Sequence, residues 1–249
     1  MKIKIVKDYT ELSNAAGQII TDLLRENPSC NLGLATGGTP RGTYQYLTAR
    51  FKSGDFSMRD VRTFNLDEYC GLPRCHPESY HSFMYSNLFA HVDIREENMH
   101  IPYTEGTNLE AQCEQYNALL NMHRIDLQLL GIGSNGHIGF CEPGTPFDKE
   151  TFVAQLSEET RRDNQRFFNS FDEVPRTAIT MGIGNIMQAQ SVLLIANGEA
   201  KAECINQMIN GPVTEEVPAS VLQTHPNATI IIDEAAASRL TGKAAAQVS

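Results

Sequence analysis

The chain contains no Trp, an absence that excludes nothing. Other absences say more. No uncharged apolar run approaches the ~20 residues needed to cross a bilayer, and the opening MKIKIVKDYTEL lacks the apolar core of a signal peptide. Neither a membrane nor a secreted protein is expected, and the cytoplasm is the expected setting. The six cysteines (Cys30, Cys70, Cys75, Cys113, Cys141 and Cys204) form no CxxC pair and no zinc-type spacing. A chain of 249 residues also outgrows the small secreted domains that need disulfides, so reduced thiols and no metal are expected. Cations are scarce. With 20 Lys+Arg against 30 Asp+Glu the formal charge is −10, which makes nucleic acid and anionic membranes poor partners. A phosphorylated metabolite remains open, provided a local positive site captures it. So does a homo-oligomer.

What is present is an ordinary globular composition, 41% hydrophobic and 20% charged, sufficient for a sizeable core. Strand-like and helix-like segments alternate from end to end. Strands are predicted over Lys2–Val6, Asn31–Ala35, Val61–Leu66, Ile125–Leu130, Ser191–Ala196 and Thr229–Ile232. Helices are predicted over Tyr9–Glu26 (behind a Thr10/Ser13 capping region), Thr43–Phe51, Ser79–Phe89, Leu109–Met122, Glu158–Asn164, Ile183–Gln188, Ala200–Ile209 and Glu234–Leu240. This alternation predicts an α/β fold, one three-layer domain over residues 1–241 with a mainly parallel sheet, followed by a frayed tail over 242–249.

Ligands of such sheets bind outside the carboxyl ends of the strands. Three polar loops follow strands directly: Thr36–Pro40, Asp67–Tyr69 and Gly131–Glu142. In the first, Thr36, Gly37, Gly38 and Thr39 bring backbone N–H groups and hydroxyls to the start of a helix, which favours phosphate over a plain turn. This loop is neither a P-loop nor a GxGxxG fingerprint. Asp67 and Glu68 supply either a general base with a structural partner or a solvated acidic turn. In the third loop His137, with Asn135 and Glu142 nearby, passes protons if a neighbour fixes its tautomer; otherwise it is a packed histidine. Arg166 and Lys201 are basic residues that this edge could draw in, though spacing alone does not select Arg166. Arg161, Arg162 and Arg166 flank a polar helix, and a solvated face accounts for at least two of them.

Taken together, LGLATGGTP, FNLDEYCGLPRCHPESYHSFM and LGIGSNGHIGFCEPGTPFD resemble, in order, the signature segments of the glucosamine-6-phosphate deaminases. RFFNSFDEVPRTAITMGIGNIM and GPVTEEVPAS are similar to that family too, so the resemblance runs from about Asn31 to Ala237. It implies a Rossmann-like fold and the conversion of glucosamine 6-phosphate and water to fructose 6-phosphate and ammonium, a step of amino-sugar catabolism, with no cofactor. By the same resemblance Asp67 is the base at C2 and His137 the residue that opens the ring, with Asn135 and Glu142 as its relay partners. Thr36, Gly37, Gly38 and Thr39 fall on the sugar-phosphate loop, and Arg166 and Lys201 on the cations that hold the phosphate. The chemistry suits these residue types, because every step is a proton transfer on a positioned substrate.

Three departures from the family pattern stand out. Residue 135 is Asn where some relatives have Asp, so it orients His137 without sharing its charge. Cys141 replaces the usual Asn beside Glu142, a change expected to alter the pocket. The segment Phe152–Gln155 lacks the basic residues of relatives regulated by N-acetylglucosamine 6-phosphate, which implies no activation at that site. Galactosamine 6-phosphate, differing only at C4, stays open as substrate. A 6-phosphogluconolactonase fits less well, since such enzymes tend to carry DER-type strings and lack the GFxEPGTPFD continuation. A non-catalytic sugar-phosphate sensor fits least, since the loops retain a base and a relay.

Overall fold

Seven parallel strands form the central sheet of the computed structural model, which describes residues 1–241. The expected tail at 242–249 lies outside the described residues. In chain order the elements are β1 (Lys2–Val6), α1 (Tyr9–Glu26), β2 (Asn31–Leu34), α2 (Arg41–Lys52), β3 (Arg62–Asn65), β4 (Asp67–Tyr69), α3 (Tyr80–Asn87), β5 (Met99–His100) and α4 (Leu109–Met122). There follow β6 (Leu127–Leu130), β7 (Phe152–Gln155), α5 (Glu158–Asn164), β8 (Thr177–Thr180), α6 (Ile183–Met187), β9 (Ser191–Ala196), α7 (Ala202–Asn210) and β10 (Ala228–Asp233). The sheet order is β1-β10-β9-β6-β2-β3-β5, and helices flank it in the Rossmann-like manner.

The interior strands are apolar because both faces are covered. All four residues of β6 are buried, as are the last five of β9. At the sheet edge, exposed Lys2 and Lys4 alternate with Ile3 and Ile5 along β1, a pattern that discourages pairing with a further strand. Helix α1 buries Leu12, Ala16, Ile20 and Leu24, a stripe with a four-residue repeat that fits one face of a helix. Its cap differs from the Thr10/Ser13 expectation. Asp8 accepts the N–H of Glu11 at 3.0 Å, a bond typically worth about 1 kcal/mol.

Strand order locates the ligand crevice. The chain steps from β2 outward to β3 and β5, then returns to the other side of β2 through β6. The loops after β2 and β6 therefore flank the point where the order reverses, the position at which such sheets bind ligands.

The expectation of a loop at Asp67–Tyr69 is corrected. After β3 the chain leaves the main sheet at Leu66, and β4 pairs antiparallel with β8, which in turn pairs antiparallel with β7. The hinge is tied at both ends, since the Leu66 N–H donates to Leu34 O at 3.1 Å and Met181 N–H to Leu66 O at 2.7 Å. The last helix is also corrected: residues 234–239 form turns. Asp233 starts them by accepting the N–H of Ala236 at 2.8 Å and that of Gly198 at 3.0 and 3.1 Å.

Candidate active site

A cleft of about 710 Å³ opens at the carboxyl ends of β2, β3, β6 and β9. Thr36–Thr39, Asp67, His137, Arg166 and Lys201 all line it. Asn135 and Glu142 stand behind His137 and contribute nothing to the wall.

The loop after β2 turns at Gly37, whose φ of +106° is a conformation that glycine adopts without strain. Nothing lies within 4 Å of where side chains at Gly37 and Gly38 would start, so their backbone is open to the cleft. The twelve-residue α2 begins immediately after, adding the positive end of its dipole. Thr39 Oγ1 donates to Asn197 Oδ1 at 2.7 Å, and Tyr9 Oη donates to Thr39 O at 3.0 Å. Facing the loop are Lys201, just before α7, and Arg166, stacked 4.9 Å from the Phe167 ring. Burial pushes the Lys201 ammonium below its usual range, and the neighbouring Arg166 charge adds to the effect, opposed by Cys204 and Asp163. Two cations held this close favour a dianion between them.

Strand alternation separates the two adjacent carboxylates of β4. Asp67 faces the large cleft, whereas Glu68 faces a smaller cavity of about 300 Å³ on the other side. Glu68 is structural: it accepts the N–H groups of Tyr69 at 2.8 Å, Tyr80 at 2.9 Å and His81 at 2.8 Å, and so holds the first turn of α3. Asp67 is 6% exposed and receives no hydrogen bond from the described residues. Burial first, and the Glu68 charge second, push its pKa well above the usual carboxylate range. A carboxylate so placed is a stronger base than one in water.

The His137 ring is set by a chain of three groups. Glu142 Oε2 accepts Asn135 Nδ2–H at 2.9 Å, which turns Asn135 Oδ1 toward His137 Nδ1 at 2.8 Å. A carboxylate only accepts, so the amide must present its NH2 to Glu142 and its oxygen to the ring. Nδ1 therefore carries the proton, and Nε2 keeps a lone pair. Burial lowers the His137 pKa, with the Glu142 charge opposing and that of Lys201 reinforcing. The imidazole is held neutral with Nε2 as a base.

Gly133 lies against that ring. A Cβ there would overlap its Cε1, Nδ1 and Nε2 atoms, far inside contact distance. Gly133→Ala is expected to push His137 off Asn135 and cut kcat by about tenfold or more with circular dichroism unchanged. An unaltered kcat would show that the ring does not need its present seat.

Some expectations are corrected here. Cys141 does not line the cleft; it is fully buried in the main core, its thiol donating to Met181 O at 3.3 Å. Burial pushes that thiol up to about 12. Of the three arginines in and just after α5, Arg162 and Arg166 are exposed, as expected for at least two of them, and Arg161 is the exception. It is buried, donates to Val174 O at 2.9 Å and Phe171 O at 3.0 Å, and stacks 4.2 Å from the Phe171 ring. Arg162 does sit on the exposed face, paired with Glu158 at 3.3 Å. Sequence reasoning missed Arg41, Tyr80, Thr160, Asp163 and Asn197, which also line the cleft. Asn197 could have been found, since it follows the carboxyl end of β9. Among the described residues no three His, Cys, Asp or Glu side chains converge on a metal position.

Comparison with known proteins agrees with this geometry. The family described as "Glucosamine-6-phosphate isomerases/6-phosphogluconolactonase" matches residues 8–231. A glucosamine-6-phosphate deaminase of Shouchella clausii is 49% identical over 98% of this chain and 99% of its own length. One of Lysinibacillus sphaericus is 50% identical over 93% and 98%. Among solved structures, a monomeric glucosamine-6-phosphate deaminase superposes with a TM-score of 0.94 at 44% identity, covering 96% of this chain and all of the other. A 6-phosphogluconolactonase from Trypanosoma brucei reaches a TM-score of 0.80 at 21% identity, over 96% and 98%, a likeness of fold alone.

Proposed function

Because the chain belongs to the family of glucosamine-6-phosphate isomerases and 6-phosphogluconolactonases, we propose that its cleft carries out the deaminating isomerisation of glucosamine 6-phosphate through Asp67 and His137. The enzyme is a glucosamine-6-phosphate deaminase by its relatives, and its substrate is a sugar phosphate. The observation that carries the residue assignment is one cleft holding a buried, unpartnered carboxylate, a neutral imidazole with a free Nε2, and an open N–H loop facing two cations.

The phosphate lies on Thr36, Gly37, Gly38 and Thr39, between Arg166 and Lys201. His137 Nε2 takes the proton of the C1 hydroxyl and returns it to the ring oxygen, and the C1–O5 bond breaks to give the aldehyde. Asp67 then removes the acidified C2 proton and delivers it to C1, while the amino nitrogen gives up a proton to O1, leaving a hydroxymethyl group at C1 and an imine at C2. Water adds to that imine and ammonia leaves, giving the ketose. A base with a raised pKa suits this shuttle, because it must both take and return the proton.

The test is release of ammonia and fructose 6-phosphate from glucosamine 6-phosphate with EDTA present. Turnover is expected. Its absence, with turnover of galactosamine 6-phosphate or 6-phosphogluconolactone instead, would move the assignment to that substrate; failure on all three would favour a sensor. Among the described residues no helix is long and apolar enough to cross a membrane. All six cysteines are free and the substrate is a charged metabolite, which supports a cytoplasmic setting. A relative is monomeric, which supports action as a monomer.

Phe152–Gln155 forms β7, an edge strand of the small sheet with no basic side chain. We accordingly expect a flat rate response to added N-acetylglucosamine 6-phosphate across substrate concentrations. A shift from a sigmoidal to a hyperbolic curve would refute this.

A further inference from the structure

Glu142 is anchored on two sides. While Oε2 accepts Asn135, Oε1 accepts the hydroxyls of Ser157 at 3.0 Å and of Thr160. Ser157 also accepts the Thr160 N–H at 3.1 Å, which fixes the geometry of both hydroxyls. They belong to the start of α5, and two residues beyond the end of that helix comes Arg166. Farther along α5, Glu159 and Asp163 accept Ser134 Oγ at 3.3 and 3.1 Å. The strand-to-cleft loop and α5 are thus joined at two places, one of them through the group that orients His137.

We propose that Ser157 and Thr160 are positioning residues, whose hydroxyls hold Glu142 as the anion that dictates the Asn135 amide and hence the His137 tautomer. The segment that brings Arg166 to the phosphate thereby also arms the ring-opening imidazole. This rests on the reading of His137 given above.

The donors have a clear electrostatic task. Burial alone would raise the Glu142 pKa; the Thr160 hydroxyl above all, then His137, Asn135 and Ser157, hold it below the usual carboxylate range. His137 Nδ1 lies 3.8 Å from Glu142, and the charged groups around this chain are Glu159 and Asp163 of α5, Lys201 before α7, and Asp67 of β4. None of them is altered by trimming the two hydroxyls. Once protonated, Glu142 can donate to Asn135, and the amide is then held in its present sense by the His137 backbone N–H at 3.2 Å and the ring alone.

Asp67, raised by burial, would mask Glu142 in the acid limb of the rate, so the ring itself is the readout. Long-range proton–nitrogen spectra of histidine-labelled protein report the tautomer, with His137→Gln assigning the signal. In wild type the Nδ1–H signature is expected to persist to low pH. In Ser157→Ala/Thr160→Val it gives way at higher pH, and kcat at neutral pH falls about tenfold. Thr160→Ser, which keeps a donor, should restore both. If the double variant does not fold, Ser157→Ala alone is read the same way. A variant titration overlaying that of wild type would overturn the proposal, as would failure of Thr160→Ser to restore it. Wild-type protein that releases no ammonia would instead bring down the functional reading, and this inference with it.

Discussion

Asp67→Asn is expected to lower kcat by roughly 10²–10⁴-fold while KM stays near its wild-type value. Asparagine has the shape of aspartate but cannot take a proton from carbon. The groups proposed to hold the phosphate line the cleft elsewhere, on the loop after β2 and at Arg166 and Lys201, so substrate capture is expected to survive. The same variant should be more stable than wild type, with a pH signature of definite sign. Burial, with the Glu68 charge adding to it, raises the folded pKa of Asp67 above its unfolded value. In acid both states are protonated and the two proteins should be equally stable. As pH rises through the ordinary carboxylate range the unfolded wild-type chain releases this proton and the folded one retains it. Wild-type stability therefore falls with pH until the folded pKa is passed, and levels off above it. Asparagine has no such term, so the advantage opens between acid and neutral pH. For a chain of this size each kcal/mol gained moves the melting temperature by roughly 2–4 °C. Melting curves at the two pH values check this, and equal stability at both would mean that burial does not strain the carboxylate.

The parts of the fold that were legible in the sequence are those with a long local period. The apolar stripe of α1 and the full span of α4 can be read from spacing, β9 is an apolar run after Ser191, and β6 is broken only by Gln128. Strands β7 and β8 were not legible. Each has only four residues, and they are strands because they pair with each other and with β4, not because of local propensity. Asp67-Glu68-Tyr69 looks like a turn in sequence because two of its three residues are charged. It is a strand because it pairs with β8 and because Glu68 finds two N–H donors at the start of α3 besides that of Tyr69, contacts invisible to periodicity. The cleft was foreseen through the rule on strand ends and through family resemblance, but its supporting shell was not. Thr160 reaches Glu142 from 18 residues away, and buried Arg161 finds its carbonyl partners 10 and 13 residues along the chain.

Glu142→Gln replaces one oxygen by NH2, out of contact with the substrate, and is expected to reduce kcat by roughly 10²–10⁴-fold with little change in KM. The Ser157 and Thr160 hydroxyls both donate to Oε1, so the glutamine oxygen takes that position and its NH2 faces Asn135. Two NH2 groups cannot bond to each other, and Asn135 is expected to turn its oxygen toward the introduced amide, giving up the 3.2 Å bond it accepts from the His137 backbone N–H. Its own NH2 then meets His137 Nδ1, which has to accept. The imidazole is forced into the opposite tautomer, with the proton on Nε2 and the lone pair directed away from the substrate. The histidine keeps its place and remains neutral but can no longer take the C1 hydroxyl proton. The expected result combines a collapsed kcat, an intact phosphate site, and a ring signature switched from Nδ1–H to Nε2–H. If kcat fell while the Nδ1–H signature persisted, Glu142 would be handling the proton itself; if both were unchanged, the tautomer would not control ring opening.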